Sequence, residues 1–360
     1  QVERGLPVPR LLDDPTVDYE TRAFGAAIFA KYVAEHGGGQ ASQRELFEHF
    51  QPQPGAPDGR RPLEGLDVYA RERGYGGLAE LFLGFAGANA GMDYEEGAHF
   101  GAVPVRKAAL DADSAVDAVT GSDPPQGLPA PAYLGATYLR ESGFAGGLKV
   151  ELQGTAEPEP STWGLALRVR RGAGYAVVLG ALDADGAPAL QVSSAGGIGE
   201  VSAAVSFLGV GATPAGYASR ASSATPASTP LPAPVLESPV PLTGRGAGLG
   251  GLRLAWAPVP GAAGYVVRWR GAAEGTFSSR TVYGNPVNPT SRRVEVELRS
   301  LRAGGVYELR VLAYDGAGTA GQEAVWAGVS AGSAPSGVMA PVTVRARDVS
   351  FSGINVPERG

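Results

Sequence analysis

The sequence predicts a multidomain α+β protein: a small helical subdomain, then an antiparallel β-sandwich, then a second β-sandwich. Apolar residues recur at helical spacing only in the first part of the chain, and farther on they alternate in short runs. The 54 glycines and 29 prolines are too many for long helices and bound those runs instead. A stretch rich in Pro, Ser and Ala divides the β-rich portion in two. The boundaries expected are 1–105 for the helical part, 106–215 for the first sandwich and 216–231 for a linker. The second sandwich takes 232–335, and a strand-forming tail takes 336–360.

The helical part opens with TRAFGAAIFAKYVAEHGGG. Asp18 is a candidate N-cap, and Phe24, Ile28, Phe29, Tyr32 and Val33 recur at helical spacing up to Gly37, a stop signal. A second helix is expected from the cap Ser42, with Leu46, Phe47 and Phe50 on one face. PLEGLDVYARERGY and GLAELFLGFAGANAG predict two more helices, the last with a stripe of Leu78, Leu81, Phe82 and Phe85. Four such stripes must be buried against one another or against a neighbour.

In the first sandwich the runs AYLGATYLRE, GLKVELQG, TWGLALRVRRG, GYAVVLGALD, PALQVSSA and EVSAAVSFLGV read as six strands. Leu165, Leu167 and Val169 alternate with Ala166, Arg168 and Arg170, and the turn DADG (183–186) suits a hairpin. The linker SRASSATPASTPLPAP is too poor in large apolar residues to pack a core. In the second sandwich LRLAWAPVPGAAGYVVRWR places Trp256 on an early strand, with another strand from Tyr265. LRSLRAGGVYELRVLAYDGAG puts Leu301 six residues before Tyr307, which is followed by alternating Leu309, Val311 and Ala313. This portion resembles a fibronectin type III domain. The resemblance implies a seven-stranded sandwich in which Trp256 packs between the sheets and Tyr307 makes a corner hydrogen bond. It implies no ligand. The tail APVTVRARDVSFSGINVPERG has two alternating runs, enough to add an edge strand to its own sandwich or to a neighbour's.

Composition narrows the function classes. A net charge of -6 leaves no basic face for nucleic acid. No apolar run approaches the length of a membrane span. With no cysteine there is no disulfide, thiolate nucleophile or cysteine metal site. A chain beginning on Gln1 is expected to be a processed or truncated product, so the protein is taken as secreted, extracellular or at the cell surface.

No catalytic constellation stands out. His36, His49 and His99 are the only histidines; none pairs with another at i, i+4, and HExxH is absent. His36 is read as a helix C-terminal partner of the dipole. There is no G-x-S-x-G elbow, and Glu95 and Glu96 in MDYEEGAHF read as a solvated pair rather than an acid–base couple. The cluster GRGAGLGG lacks the lysine and helix of a phosphate cradle and should lead into the Trp256 strand. Weak calcium candidates are Asp111, Asp113 and Asp117 in DADSAVD, and Asp183 and Asp185 in LDADG, carboxylates at alternate spacing without a closing glutamate. Trp163, Tyr175, Trp269 and Trp326, if exposed, could stack on a cell-surface glycan, although strand spacing favours core.

The segments YETRAFGAAIFAKYVAEHGG, PLEGLDVYARERGYGGLAELFLGFAGANAG, YEEGAHFG and PAYLGATYLR together resemble secreted bacterial metallopeptidases of the myxobacterial type, in the region after their HExxH helix. The resemblance covers about residues 15–210 and implies helices standing beside a zinc centre, then a β-sandwich. It carries over no catalytic or metal-binding residue, because the positions that hold the zinc lie before the matched region. The expected function is therefore a non-catalytic binding or assembly protein, a filament or surface-layer subunit whose partners are copies of itself. The C-terminal portion of a zinc metallopeptidase and a carbohydrate-binding accessory module are the alternatives.

Overall fold

In the computed structural model the described residues are 19–52, 62–95, 107–109, 134–142, 146–154, 162–172, 174–183, 189–208, 216–224, 229–244 and 248–333. The expected cap Asp18, the candidates Glu96, His99, Asp111, Asp113, Asp117 and Asp185, and the strand-forming tail lie outside them.

Four helices form the first layer: α1 (Tyr19–His36), α2 (Gln40–Glu48), α3 (Pro62–Glu72) and α4 (Leu78–Gly91). The α1 stripe of Phe29, Tyr32 and Val33 is buried, and the helix stops where Gly38 and Gly39 take φ of 108° and 92°. Gly39, and not Ser42, is the N-cap of α2. Ser42 lies inside the first turn, buried, with its hydroxyl donating back to the Gly37 carbonyl. The expected face of α2 also splits. Leu46 is buried, whereas Phe47 is 55% exposed and meets the edge of Phe50. Asp67 of α3 accepts from the Leu78 amide at 2.8 Å and so caps α4 across the turn.

Helix α4 packs between the other helices and the five-stranded sheet described below. Every residue from Leu81 to Ala90 is buried, so this part of the helix has no solvent face where a single stripe was expected. Its small residues make this possible: Gly87 lies against Val178 and Ala166, and Gly84 against Tyr32 and Tyr283.

The first sandwich has a five-stranded sheet. In spatial order its strands are β1 (Lys107–Ala109), β2 (Gly135–Ser142), β7 (Glu200–Phe207), β4 (Trp163–Arg171) and β5 (Tyr175–Leu182). Among the described residues of this sheet, only β1 and β2 pair in parallel. The facing sheet is β6 (Ala189–Ser194), β3 (Gly147–Gly154) and β8 (Tyr217–Ala224), in that order. Alternation divides β4 as the period of two requires. Leu165, Leu167 and Val169 face the three-stranded sheet, while Ala166, with Val178 and Ala204, faces the helices. Helices, sheet and second sheet are thus three layers.

Two expectations fail here. Strands β5 and β6 belong to different sheets and do not pair as a hairpin, and residues 184–186 of the expected turn lie outside the described residues. Residues 217–224, expected to open the linker, are strand β8, paired with β3 from Gly154↔Tyr217 to Gly147↔Ala224. Tyr217, Ala218 and Ala221 are the buried residues that pattern reasoning undervalued among the serines and alanines, and Tyr217 and Ala221 join the core between the sheets.

The C-terminal sandwich comprises β9 (Val240–Thr243), β10 (Leu249–Trp256), β11 (Gly264–Gly271), β12 (Ser278–Tyr283), β13 (Val294–Arg302), β14 (Val306–Tyr314) and β15 (Ala320–Ser330). A β13-β10-β9 sheet faces a β12-β11-β14-β15 sheet, the seven-stranded fibronectin III-like arrangement. Trp256 is fully buried with its ring 5.2 Å from Tyr265. The Tyr265 hydroxyl accepts from the Val259 amide at 2.8 Å and donates to Asn285 Oδ1 at 2.7 Å. Leu301 is buried, and Tyr307 Oη accepts from the Arg302 amide at 2.8 Å, closing the corner. GRGAGLGG runs into β10.

This sandwich is docked, not dangling. Val266, Leu312 and Tyr314 project from its outer face into the core of the first sandwich. Tyr314 Oη donates to the Val178 carbonyl at 2.8 Å, and Thr281 Oγ1 donates to the Ala176 carbonyl at 2.5 Å.

Candidate functional site

Among the described residues, a group of buried ionisable side chains lies where the helical layer meets the C-terminal sandwich. The end of α1 supplies Lys31, Glu35 and His36, the segment after α4 supplies Asp93, Tyr94 and Glu95, and β12 supplies Arg280. Burial is nearly complete: Glu35 is 0% exposed, His36 2% and Arg280 3%.

Glu35 takes a bond from Lys31 Nζ at 2.6 Å and another from the Glu95 amide at 2.7 Å. Burial works to raise its pKa, but the Arg280 guanidinium, Lys31 and the Glu95 amide together hold the carboxyl below its usual range. Arg280 donates to the Glu297 carbonyl at 3.0 Å and stands 3.7 Å from Glu95 Oε1. Glu95 Oε2 accepts from Ser300 Oγ at 2.9 Å. Glu95 is therefore a buried member of a network, which corrects its reading as a solvated loop carboxylate.

His36 is held on both sides. Nδ1 is 2.6 Å from the Thr281 carbonyl of β12 and Nε2 is 2.8 Å from the Asp93 carbonyl. Tyr32 stacks on the ring at 4.8 Å, and Tyr94 meets it edge-on at 6.0 Å. Burial and the nearby Arg280 guanidinium push its pKa below the usual histidine range, against the pull of Asp93 and Glu35. The ring is thus a buried tie between two elements, at the helix end where a partly positive dipole partner was expected.

This arrangement joins elements, and its central side chains are too deeply covered to meet a substrate from solution. His49 lies elsewhere, 3.1 Å from Glu72 and edge-on to Tyr69 at 5.9 Å. Among the described residues no three His, Asp or Glu side chains gather as a metal site. Asp183, the one described calcium candidate, closes the end of the β4–β5 pair. Its Oδ1 accepts from the Trp163 amide at 2.8 Å, its own amide donates to the Trp163 carbonyl at 3.1 Å, and burial raises its pKa.

The aromatic candidates separate in the same way. Trp163 is fully buried against Phe207 and Tyr217, which removes it from any glycan-stacking set. Trp269 and Trp326 are half-buried against the C-terminal core, and Tyr175 against the first. A second charged cluster covers the free end of the outer face, where Arg268, Arg270 and Arg310 stand 4.5–4.8 Å from the Phe277 ring. Glu323 pairs with Arg268 and Arg310, and Glu308 with Arg270 and Arg310, so each of the three guanidiniums has a carboxylate partner.

Sequence reasoning missed Glu35 and Arg280. A carboxylate in the last turn of an apolar helix and an arginine inside the strand SSRTVY, followed by Thr, Val and Tyr, were the available signals. Both sit where a charge is out of keeping with its neighbours.

No family model matches the sequence, and no curated protein matches it. The chain is similar to several solved structures. One is the fn3 domain of human collagen alpha-1(XX), with 26% identity over 32% of this chain and 95% of that chain, at a TM-score of 0.22. Another is the chicken CNTN1 FN1-FN3 domains, with 12% identity over 47% and 56% of the two chains, at 0.22. A third is the twitchin kinase region from C. elegans, with 20% identity over 29% of this chain but only 17% of that chain, at 0.21. Likeness at these scores carries no argument about ligand, activity or partner.

Proposed function

We propose that this chain is a non-catalytic binding or assembly protein that works outside the cell, built on a metallopeptidase-like helical framework, with copies of itself as partner. The observation that carries this reading is the sealed junction. The polar side chains at the end of α1, the helix that the peptidase resemblance places beside a catalytic centre, are taken up in holding the C-terminal sandwich. The result is a stiff block with two sandwiches and a helical layer, a shape suited to presenting surfaces. Exposed Phe47 on α2 supports a contact at the helical end.

Sedimentation velocity over a wide concentration range tests the reading. Reversible growth beyond the 36.7 kDa monomer is expected. A strictly monomeric species at the highest concentration, or zinc-dependent hydrolysis of unstructured polypeptide by the purified chain, overturns it. The function needs no cofactor, so added calcium is expected to leave the melting temperature unchanged. A calcium-dependent rise would instead assign a site to one of the aspartate candidates.

A further inference from the structure

We propose that copies of the chain join through β8, antiparallel and edge to edge about a two-fold axis, so that the β6-β3-β8 sheets of two molecules become one. This rests on the reading above that the partner is a second copy, and it names the surface that the copy meets.

An edge strand offers unpaired N–H and C=O groups to any strand that arrives, so folded proteins shorten, kink, cover or charge their edges. Among the described residues every other edge shows such a device. Strands β5 and β12 close on each other at the docked seam, where the Ala176 and Val178 carbonyls accept from Thr281 and Tyr314. Strand β13 lies against the α1–α2 turn and gives its Glu297 carbonyl to Arg280. Strand β15 shifts in register near Gly328, whose φ is 70°, and its Gln322 amide donates to the Leu231 carbonyl at 3.0 Å. Strand β9 is short and carries Pro241, and the Gly244 amide just beyond it donates to the Ser333 carbonyl at 3.4 Å. Strand β6 runs into the β14–β15 turn, with the Ala195 amide donating to the Ala317 carbonyl at 2.8 Å. Strand β1 spans three residues.

Strand β8 has none of these. It pairs with β3 without a break from Gly154↔Tyr217 to Gly147↔Ala224, and no described strand pairs with its other side. Its sequence YASRASSA holds no proline, glycine or lysine, and its one charge is Arg220.

Symmetry and the period of two narrow the register. Residues directly opposite in an antiparallel pair share a face of the sheet. Ala221 points into the core and is 0% exposed, whereas Arg220 is exposed and Ser222 half-buried on the outer face. A one-residue slip would turn the core side of one copy toward the solvent side of the other. Of the two remaining registers that overlap the strands most fully, one sets Arg220 against its own copy, a like-charge pair. The other sets Ala221 on the axis and Arg220 opposite the partner's Ser222.

Sedimentation velocity of the full chain and of charge variants at Ser222 tests the proposal. Ser222→Lys sets cation against cation twice per dimer and is expected to weaken association by about three- to tenfold, while Ser222→Glu strengthens it by as much. Both effects should shrink in high salt. Association that ignores the charge at position 222 overturns the β8 contact and leaves self-association standing, and its loss in Phe47→Ser would move the contact to the helical end. A wild-type chain that stays monomeric at the highest concentration overturns both. Should a Ser222 variant fail to fold, hydrogen exchange on the wild type decides. Protection of residues 217–224 that rises with protein concentration supports the contact, and protection independent of concentration refutes it.

Discussion

Arg280 shows how much a single side chain carries here. It is buried among Glu35, Glu95 and the Glu297 carbonyl, in a place where removing one partner of a charge pair leaves the other uncompensated. Arg280→Met is expected to cost about 3–5 kcal/mol in a urea titration. A loss below about 1 kcal/mol would mean that solvent reaches the carboxylates. The Tyr307 hydroxyl is a smaller test at the same scale. Tyr307→Phe removes its bond to the Arg302 amide and should cost about 1 kcal/mol, read as a lower urea midpoint with an unchanged m-value. Tyr307 was legible because its spacing from Leu301 is local. Arg280 was not, because its partners on α1 are remote in sequence and nothing local announces them. The neighbouring contact between His36 and Thr281 spans 245 residues.

At the scale of the element, α4 depends on what it lacks. A Cβ at Gly84 would enter the space of the Tyr32 hydroxyl and the Tyr283 ring. In an open helix Gly→Ala stabilises by about 1 kcal/mol. Here Gly84→Ala is expected to destabilise by about 1–3 kcal/mol through overpacking, measured by thermal or urea unfolding. A gain in stability would show that Tyr283 yields readily. The existence of all four helices and of most strands could be read from periodicity. Which face each buries could not be read where both are covered. In β11 the run Tyr265, Val266, Val267 and in β14 the run Val311, Leu312, Ala313, Tyr314 break alternation, and that break is the mark of a second packing partner. Serine and alanine concealed β8 for the opposite reason: two residues, Tyr217 and Ala221, are enough when the rest of the core is already present.

For the whole molecule the consequence of docking is cooperativity. With Val266, Leu312 and Tyr314 shared between cores, the sandwiches and helices should melt together. Tyr314→Ala empties the centre of the contact and is expected to cost about 3–5 kcal/mol. In calorimetry it should also split one transition into two. A single unshifted transition in the variant would mean that Tyr314 contributes little to the contact, and two transitions already in the wild type would mean that the sandwiches are energetically independent.

Strand β8 bears on how the protein can be divided. It comes after the proline-bounded boundary suggested by composition, yet β3 is flanked by β6 on one side and β8 on the other. A fragment ending at residue 215, or a protease nick there, would strip one neighbour from β3. Eight residues of backbone would be left seeking a substitute. The obvious donor is the same strand of another molecule, so such a piece should exchange strands or precipitate, while one extended past Ala224 should stay intact. Dissection of this protein has to respect a seam that its composition hides.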